Sequence, residues 1–79
     1  MVNLNTVLSD MVKAIVDNPA AVSVAESEVN GELVLELTVA PDDMGKVIGR
    51  QGRIAKEIRT IVKTVAQRTG EKVTVEIVD

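Results

Sequence analysis

The central stretch of the chain, residues 44–59, reads MGKVIGRQGRIAKEIR. Its middle four residues, Gly49 to Gly52, interrupt two segments whose apolar residues recur at helical spacing. The pattern predicts a short helix, a break bracketed by glycines, and a second helix that begins at Arg53. Basic residues stand on both sides of the break, a combination that occurs nowhere else in the sequence.

The composition limits the kinds of protein that this chain can be. Its 79 residues suit one small domain, 1–79, and 46% of them are hydrophobic although none is aromatic. Because Cys and His are both absent, disulfides, thiolate or imidazole metal sites and near-neutral acid–base groups are excluded. The sequence shows no leader segment and no apolar run of about 20 residues, so we expect a cytoplasmic protein without a membrane partner.

Charge is divided unevenly along the chain. The net charge of −3 argues against a nucleic-acid partner when the chain is taken whole. Residues 1–43, however, carry a net charge of −7, and residues 44–79 carry +4. Such a split is typical of a basic, one-sided binding surface, and it also fits an acidic protein that merely contains a locally basic helix.

Hydrophobic spacing predicts a core helix near the start of the chain. Within residues 4–16, the apolar residues recur every three or four positions, as they do on one face of a helix. They are Leu4, Val7, Leu8, Met11, Val12 and Ile15. Asn3 or Asn5 can cap the start of this helix, and Pro19 pushes the residue before it out of the helical conformation.

Two strands are predicted between this helix and the central stretch. The apolar period changes to two, and Asn30-Gly31 is the pair favoured in a two-residue type I′ turn. This turn pairs Val24 with Leu37, and in that register the apolar residues of both strands lie on one face of the hairpin. Glu26 and Glu28 fall on the same face nearer the turn, where we expect the hairpin to extend past the core into water.

The remaining elements complete an α-β-β-α-α-β order. Residues 53–68 form a long helix with a continuous apolar arc that includes Ile61, and Gly70 suits its C-terminal stop. Residues 72–78 form a last strand. We therefore predict an α+β fold in which three helices pack on one face of a three-stranded sheet.

The residue types at the glycine break suit contact with a sugar–phosphate backbone. Glycine lets a polynucleotide approach the protein main chain and permits the unusual dihedral angles of a tight loop. Arg50 can form two parallel hydrogen bonds with phosphate oxygens, and Gln51 can donate without adding charge. The next helix begins at Arg53, where unpaired N–H groups and the helix dipole attract phosphate. The alternative is an ordinary helical corner that uses glycine to turn.

Residues 45–53, GKVIGRQGR, resemble the V-I-G-x-x-G core of KH domains, and the order of elements resembles the type II (prokaryotic) KH arrangement. In length and in the residues around the loop, the chain is similar to the small bacterial KhpA family. KH domains hold about four single-stranded nucleotides through a GXXG loop that contacts the backbone. The resemblance implies this role for Gly49, Arg50, Gln51 and Gly52, with Lys46, Ile48, Arg53, Ile54, Lys56 and Arg59 around them.

The same resemblance implies a ligand and a cellular role. Members of that family are cytoplasmic RNA-binding proteins or RNA chaperones, linked to cell elongation and division. They form homodimers or pair with a larger KhpB-like protein that carries its own KH domain. For this chain the resemblance implies single-stranded RNA as the ligand, with single-stranded DNA left open, and no cofactor.

Two other classes of function compete with nucleic-acid binding. A protein-interaction or dimerisation domain with a KH fold would also explain the acidic total and the purely aliphatic core. An enzyme is disfavoured because His and Cys are missing and neither a P-loop nor a dinucleotide-binding fingerprint occurs. The adjacent acids Asp42 and Asp43 suggest a metal pair, but beside Pro41 either of them is better suited to capping the short helix that follows.

Overall fold

Three helices and three strands follow the chain in the predicted order in the computed structural model, which describes residues 3–78. They are α1 (Leu4–Lys13), β1 (Ser23–Val29), β2 (Glu32–Thr38), α2 (Met44–Ile48), α3 (Arg53–Thr69) and β3 (Val73–Ile77). Single 3₁₀ turns lie at Pro19–Ala21, Pro41–Asp43 and Arg50–Gly52. The predicted α-β-β-α-α-β order is confirmed.

The β1–β2 hairpin forms in the predicted register. In the Asn30-Gly31 turn both residues adopt positive φ, 53° and 79°, as a type I′ turn requires. Val24 pairs with Leu37, which is fully buried. Glu26 and Glu28 lie on the same face nearer the turn and are exposed. The turn end of the hairpin therefore extends past the core into solvent, as predicted.

β3 pairs in parallel with β2 and completes a sheet of order β1-β2-β3. Alternate side chains face the helices, while those on the opposite face, such as Glu36 and Glu76, lie in solvent. α1 contacts β1 and α3, α2 contacts α3, and α3 contacts β3, so the helices cover one face. The buried aliphatic core between them comprises Leu4, Leu8, Val12, Val16, Leu35, Leu37, Val39, Val47, Ile58, Val62, Ala66, Val73 and Val75.

Side chains occupy one backbone acceptor on each outer strand of the sheet. Asn5 Nδ2 donates to the carbonyl of Val24 in β1 at 3.3 Å, and Arg59 Nε donates to the carbonyl of Val75 in β3 at 3.2 Å. In β3 the residues that bond to β2 alternate with those that face the free edge, and Val75 belongs to the second set. Arg59 thus links α3 to the edge of the sheet.

α1 is shorter than its hydrophobic stripe predicts. It ends at Lys13 and not at residue 16, and its last turn is closed by the bond from Val16 N–H to the carbonyl of Val12. Ile15, predicted as core, is 37% exposed, whereas Val16 is buried in its place. Beyond Val16 the helical hydrogen bonds do not continue, because the N–H groups of Asp17 and Asn18 donate to a carboxylate outside α1.

That carboxylate belongs to Asp43, and the prediction that Asp42 or Asp43 caps α2 through its side chain is wrong, since α2 has no side-chain cap. Asp43 stands at the N-cap position of α2, but its side chain makes no bond to that helix. Its two oxygens accept instead from the N–H groups of Asp17, at 3.1 Å, and Asn18, at 3.0 Å. The start of α2 is therefore fastened to the connection between α1 and β1.

α3 buries a narrower arc than its sequence predicts. Ala55, Ile58 and Val62 are buried, but Ile61 is 49% exposed because α1 and the sheet do not reach that side of the helix. Gly70, with φ of 74°, ends α3 in the left-handed conformation, as predicted. Neither α3 nor any other helix within residues 3–78 is long and apolar enough to cross a membrane.

Candidate nucleic-acid interface

α2 leads directly into the glycine break. It has five residues and buries one of them, Val47. The N–H of Gly49 closes α2 by donating to the carbonyl of Gly45 at 2.9 Å. α3 then begins at Arg53, so the loop Gly49–Gly52 is held at both ends by helices.

Gly49 adopts a conformation that is essentially limited to glycine. Its φ of 68° and ψ of −173° lie in a region where a side chain would collide with the backbone. A Cβ added there would lie 2.3 Å from Ile54 Cγ1 and 2.9 Å from Ile54 Cβ. The loop therefore packs against the first turn of α3 through a bare Cα atom.

Gln51 and Gly52 turn the chain into α3. Their φ angles of 57° and 74° lie in the left-handed region, which costs a residue with a side chain, such as Gln51, about 1–2 kcal/mol. A Cβ added at Gly52 would meet nothing within 4 Å. The outer side of the loop is therefore open to an approaching molecule, while the two helices hold its backbone in an uncommon conformation.

An open recess lies beside the loop. It has a volume of about 440 Å³ and is lined by Arg50, Gln51, Arg53 and Ile54. Ile54 is half-buried against the core and supplies an apolar wall, while Arg50 and Gln51 are exposed. Ile48, which is 36% exposed, adds a second aliphatic side chain near the loop. The loop is thus accessible, and the recess beside it has both charged and apolar walls.

The arginines of the recess carry unpaired charge. Neither Arg50 nor Arg53 forms an ion pair with a carboxylate anywhere in residues 3–78. At the start of α3, Gly52 occupies the N-cap position and supplies no side-chain acceptor for the first N–H groups. Two guanidinium groups and the N-terminus of a 17-residue helix therefore meet at one place, which favours an anion such as phosphate.

Lys46, also predicted near the loop, already has partners. Its ammonium group is hydrogen-bonded to the carboxylate of Asp17 and lies 3.8 Å from Oδ1 of Asp43. The hydrogen bond to Asp17, together with the negative charges of Asp17, Asp43 and Asp42, raises the pKa of Lys46. These carboxylates therefore favour the charged form of Lys46, and its nearest negative charges belong to the protein itself.

Lys56 and Arg59 lie on other sides of α3. Lys56 shares a second recess, of about 430 Å³, with Arg53 and Ile61. Arg59 faces the edge of β3, where it bonds to Val75. The structure thus leaves both side chains outside the recess beside the loop, although both add to the positive charge of α3.

Asp43 has a role in this region that no local pattern signals. Acids directly after Pro41 predict helix capping, and nothing nearby indicates a different partner. The carboxylate is only 2% exposed, and its partners Asp17 and Asn18 lie 26 and 25 residues away in the sequence. Such a contact depends on how distant segments meet in the folded chain.

The sequence matches a known family over almost its whole length. The family model described as KhpA/KhpB, KH domain, matches residues 5–77. A protein of Clostridium acetobutylicum named RNA-binding protein KhpA is 52% identical over 77 residues, which cover 95% of this chain and all of that protein. A protein of the same name from Caldanaerobacter subterraneus is 49% identical over 75 residues, with 95% of this chain and all of that protein covered.

Solved structures of Era contain a similar fold. One, of Era in complex with MgGDPNP and nucleotides 1506–1542 of 16S ribosomal RNA, has a TM-score of 0.68 at 19% identity. Another, of a variant of Aquifex aeolicus Era bound to GDP.AlF4-, has a TM-score of 0.60 at 22% identity. The matches cover 94% and 98% of this chain, and this chain spans 28% and 31% of the Era chains. At these identities the likeness establishes the fold alone.

Proposed function

The chain belongs to the family of KhpA/KhpB KH domains, and on that premise we propose that it binds single-stranded RNA through the loop Gly49–Gly52. The observation that supports this proposal is the open recess beside the loop, where Arg50 and Arg53, which form no ion pair within residues 3–78, stand next to the aliphatic Ile54. A single strand has the complementary pattern, with an anionic backbone and apolar base faces.

In the proposed complex the sugar–phosphate backbone lies against the loop. Gly52 offers a side without a Cβ atom, and phosphate oxygens accept hydrogen bonds from N–H groups in the first turn of α3 beyond Arg53, whose own N–H donates to the carbonyl of Arg50. Arg50 forms a bidentate contact with one phosphate, and Gln51 donates to another. About four nucleotides span the GXXG loop of a KH domain, and their bases lie against Ile48 and Ile54.

The composition limits how tightly this site binds. Because the chain contains no Phe, Tyr or Trp, no base stacks on an aromatic ring, a contact worth about 1–3 kcal/mol per base in other single-strand binders. Phosphate contacts and aliphatic packing therefore provide the binding energy. Modest affinity suits a protein that acts on many transcripts, so we include the role of a cytoplasmic RNA chaperone in this proposal.

We propose RNA rather than single-stranded DNA as the ligand because the relatives are named RNA-binding proteins. Those names describe binding and not a reaction, and we propose neither catalytic activity nor a cofactor for this chain. The loop itself distinguishes the two nucleic acids only through contacts to the ribose, since its phosphate contacts are common to both.

We expect salt to weaken RNA binding with a shallow, linear dependence. Two to three phosphate contacts predict a slope of about −1.5 to −2 for log K against log salt, at roughly −0.7 per contact for single strands. Fluorescence anisotropy of a labelled single-stranded RNA, titrated at several salt concentrations, measures this slope. Double-stranded RNA of the same sequence is the control, and single-stranded DNA shows how far the ribose matters.

Two results of these titrations would contradict the proposal. A flat salt response would remove the phosphate contacts from the binding mode. Equal affinity for the single and the double strand would show that unpaired bases do not enter the recess.

Ile61 favours a second function, the association of two copies of the chain. Its side chain is half exposed in the middle of α3 although its spacing belongs to an apolar arc. Basic Arg53 and Lys56 and acidic Glu57 line the recess beside it, so charges of both signs surround an apolar centre, as at a protein interface. We propose a two-fold homodimer through this side of α3. A larger KhpB-like KH protein is the alternative partner for the same surface.

Ile61→Asp is expected to abolish this association, because a carboxylate at the centre of the interface would lose its hydration without gaining a partner. Sedimentation velocity over a series of protein concentrations should show a dimer for the wild type and a monomer for the variant. Gln67→Asp, which makes the same charge change at another exposed position of α3, should associate like the wild type. A monomeric wild type, or a dimeric Ile61→Asp variant, would rule the interface out.

A further inference from the structure

Among residues 3–78, Asp43 is the one charged residue that is buried. Its Oδ1 and Oδ2 atoms accept hydrogen bonds from the N–H groups of Asp17 and Asn18, and the ammonium group of Lys46 lies 3.8 Å from Oδ1. A buried carboxylate is tolerated when donors and a positive charge surround it in this way. We refer to Asp17, Asn18, Asp43 and Lys46 as the Asp43 cluster.

Apart from the Asp43 cluster, α2 is held by its packing on α3 and by two side chains against the core, the buried Val47 and the half-buried Met44. A helix of five residues does not hold its conformation alone, and Val47 is its one buried side chain. Asp43 immediately precedes α2, and Gly49 immediately follows it. Any tilt of α2 therefore moves Gly49, the first residue of the loop, which packs so closely on Ile54 that an added Cβ would overlap it.

Lys46 joins the Asp43 cluster from the middle of α2. Its side chain is 45% exposed and is hydrogen-bonded to the largely exposed carboxylate of Asp17. A phosphate that recruited Lys46 would have to displace it from Asp17 and from Asp43. The geometry therefore fits a link between α2 and the α1–β1 connection better than a contact with RNA.

We propose that Asp43 is the positioning residue of the loop Gly49–Gly52. The inference rests on the RNA binding proposed above: the carboxylate fastens α2 to the α1–β1 connection, and α2 in turn presents the loop to the nucleotide strand. Lys46 helps to hold α2 in this position and does not contact phosphate. Neither side chain touches RNA in this arrangement.

Asp43→Asn tests the proposal, with its exposed neighbour Asp42→Asn as the matched control. Both variants lose one negative charge at adjacent positions, and electrostatics alone would make both bind a polyanion more tightly. We expect this of Asp42→Asn. In Asp43→Asn the side-chain NH₂ group faces a backbone N–H, so one hydrogen bond of the carboxylate is lost. We expect this variant to bind labelled single-stranded RNA roughly tenfold more weakly, which is the scale of one lost hydrogen bond to a charged group.

The amide signals of Gly49 and Gly52 provide a measurement that global stability does not affect. Spectra of ¹⁵N-labelled protein are recorded at a temperature where circular dichroism shows both variants to be folded. We expect both glycine signals to shift in Asp43→Asn and to stay in place in Asp42→Asn. This measurement requires no RNA.

Lys46→Gln tests the second part of the proposal through salt dependence, with Arg53→Gln as its reference. A lost phosphate contact reduces the magnitude of the log–log slope by about 0.7, and we expect this for Arg53→Gln. Lys46→Gln should keep the wild-type slope while its affinity falls about threefold, the scale of a lost surface ion pair. The glycine signals should shift in this variant as well.

A folded Asp43→Asn variant that binds RNA as tightly as Asp42→Asn, with unmoved glycine signals, overturns the positioning role. An equal loss of slope in Lys46→Gln and Arg53→Gln overturns the assignment of Lys46. If Asp43→Asn does not fold, the salt slope and the glycine signals of Lys46→Gln test whether the Asp43 cluster positions the loop. Failure of the RNA-binding proposal is a separate result: the wild type would then bind no RNA, and the glycine signals would still decide whether Asp43 positions the loop.

Discussion

Replacing Arg50 and Gln51 together by aspartate is expected to abolish the binding of short single-stranded RNA. The change removes a guanidinium group from the recess and adds two carboxylates where phosphate would lie. Each lost hydrogen bond to a charged group costs about 1.5–3 kcal/mol, and repulsion adds to this, so affinity should fall at least about 100-fold. Anisotropy titrations of variant and wild type at one low salt concentration measure the loss.

The fold should survive this double substitution. Both side chains are exposed, and aspartate accepts the left-handed conformation of residue 51 more readily than glutamine does. Gln67→Asp with Arg68→Asp makes the same two changes at the exposed far end of α3. This control should bind RNA nearly as the wild type does, since charges more than about 10 Å apart are screened at 0.1 M salt. If the folded loop variant binds as well as the control, the loop is not the site.

Gly49→Ala is expected to destabilise the whole domain. The new Cβ would lie 2.3 Å from Ile54 Cγ1, and its position 3.2 Å from the backbone nitrogen of Ile54 limits how far the helix can yield. Crowding and the forbidden dihedral region together cost about 3 kcal/mol. For a domain of this size, that corresponds to a decrease in Tm of about 12–24 °C. Since the chain has no aromatic fluorophore, circular dichroism at 222 nm is the measurement.

Gly45→Ala is the control for this prediction. Gly45 lies inside α2, is exposed, and a Cβ there would meet nothing within 4 Å. Alanine should therefore stabilise the helix by about 0.5–1 kcal/mol and raise Tm slightly. A Gly49→Ala variant as stable as the wild type would show that the loop does not pack against Ile54.

The hairpin was predictable because its signals are local. Asn30-Gly31 specifies a turn whose register also brings Val24 opposite Leu37, so turn chemistry and hydrophobic pattern agree. The glycine break was equally predictable from the sequence, since few residue types other than glycine tolerate the positive φ angles found at positions 49 and 52. At these positions a residue's own conformational limits decide the structure.

The differences arise where distant segments meet. Spacing places Ile61 in the apolar arc of α3, but how much of that arc is buried depends on how far α1 and the sheet extend along the helix. Charge alone predicts Arg59 and Lys46 as residues near the loop, but it does not indicate that Arg59 bonds to a backbone carbonyl and Lys46 to a carboxylate. The partners of Asp43 follow from tertiary structure in the same way. Periodicity and charge counts contain no information about such neighbours.

The occupied carbonyls of Val24 and Val75 affect how molecules of this protein meet at high concentration. A sheet border with a bare row of backbone groups recruits strands from other molecules and can begin the growth of fibrils. Here a helix side chain obstructs an acceptor on each border, so an incoming strand has to break a bond before it can pair. These two bonds therefore make strand addition at either border less favourable.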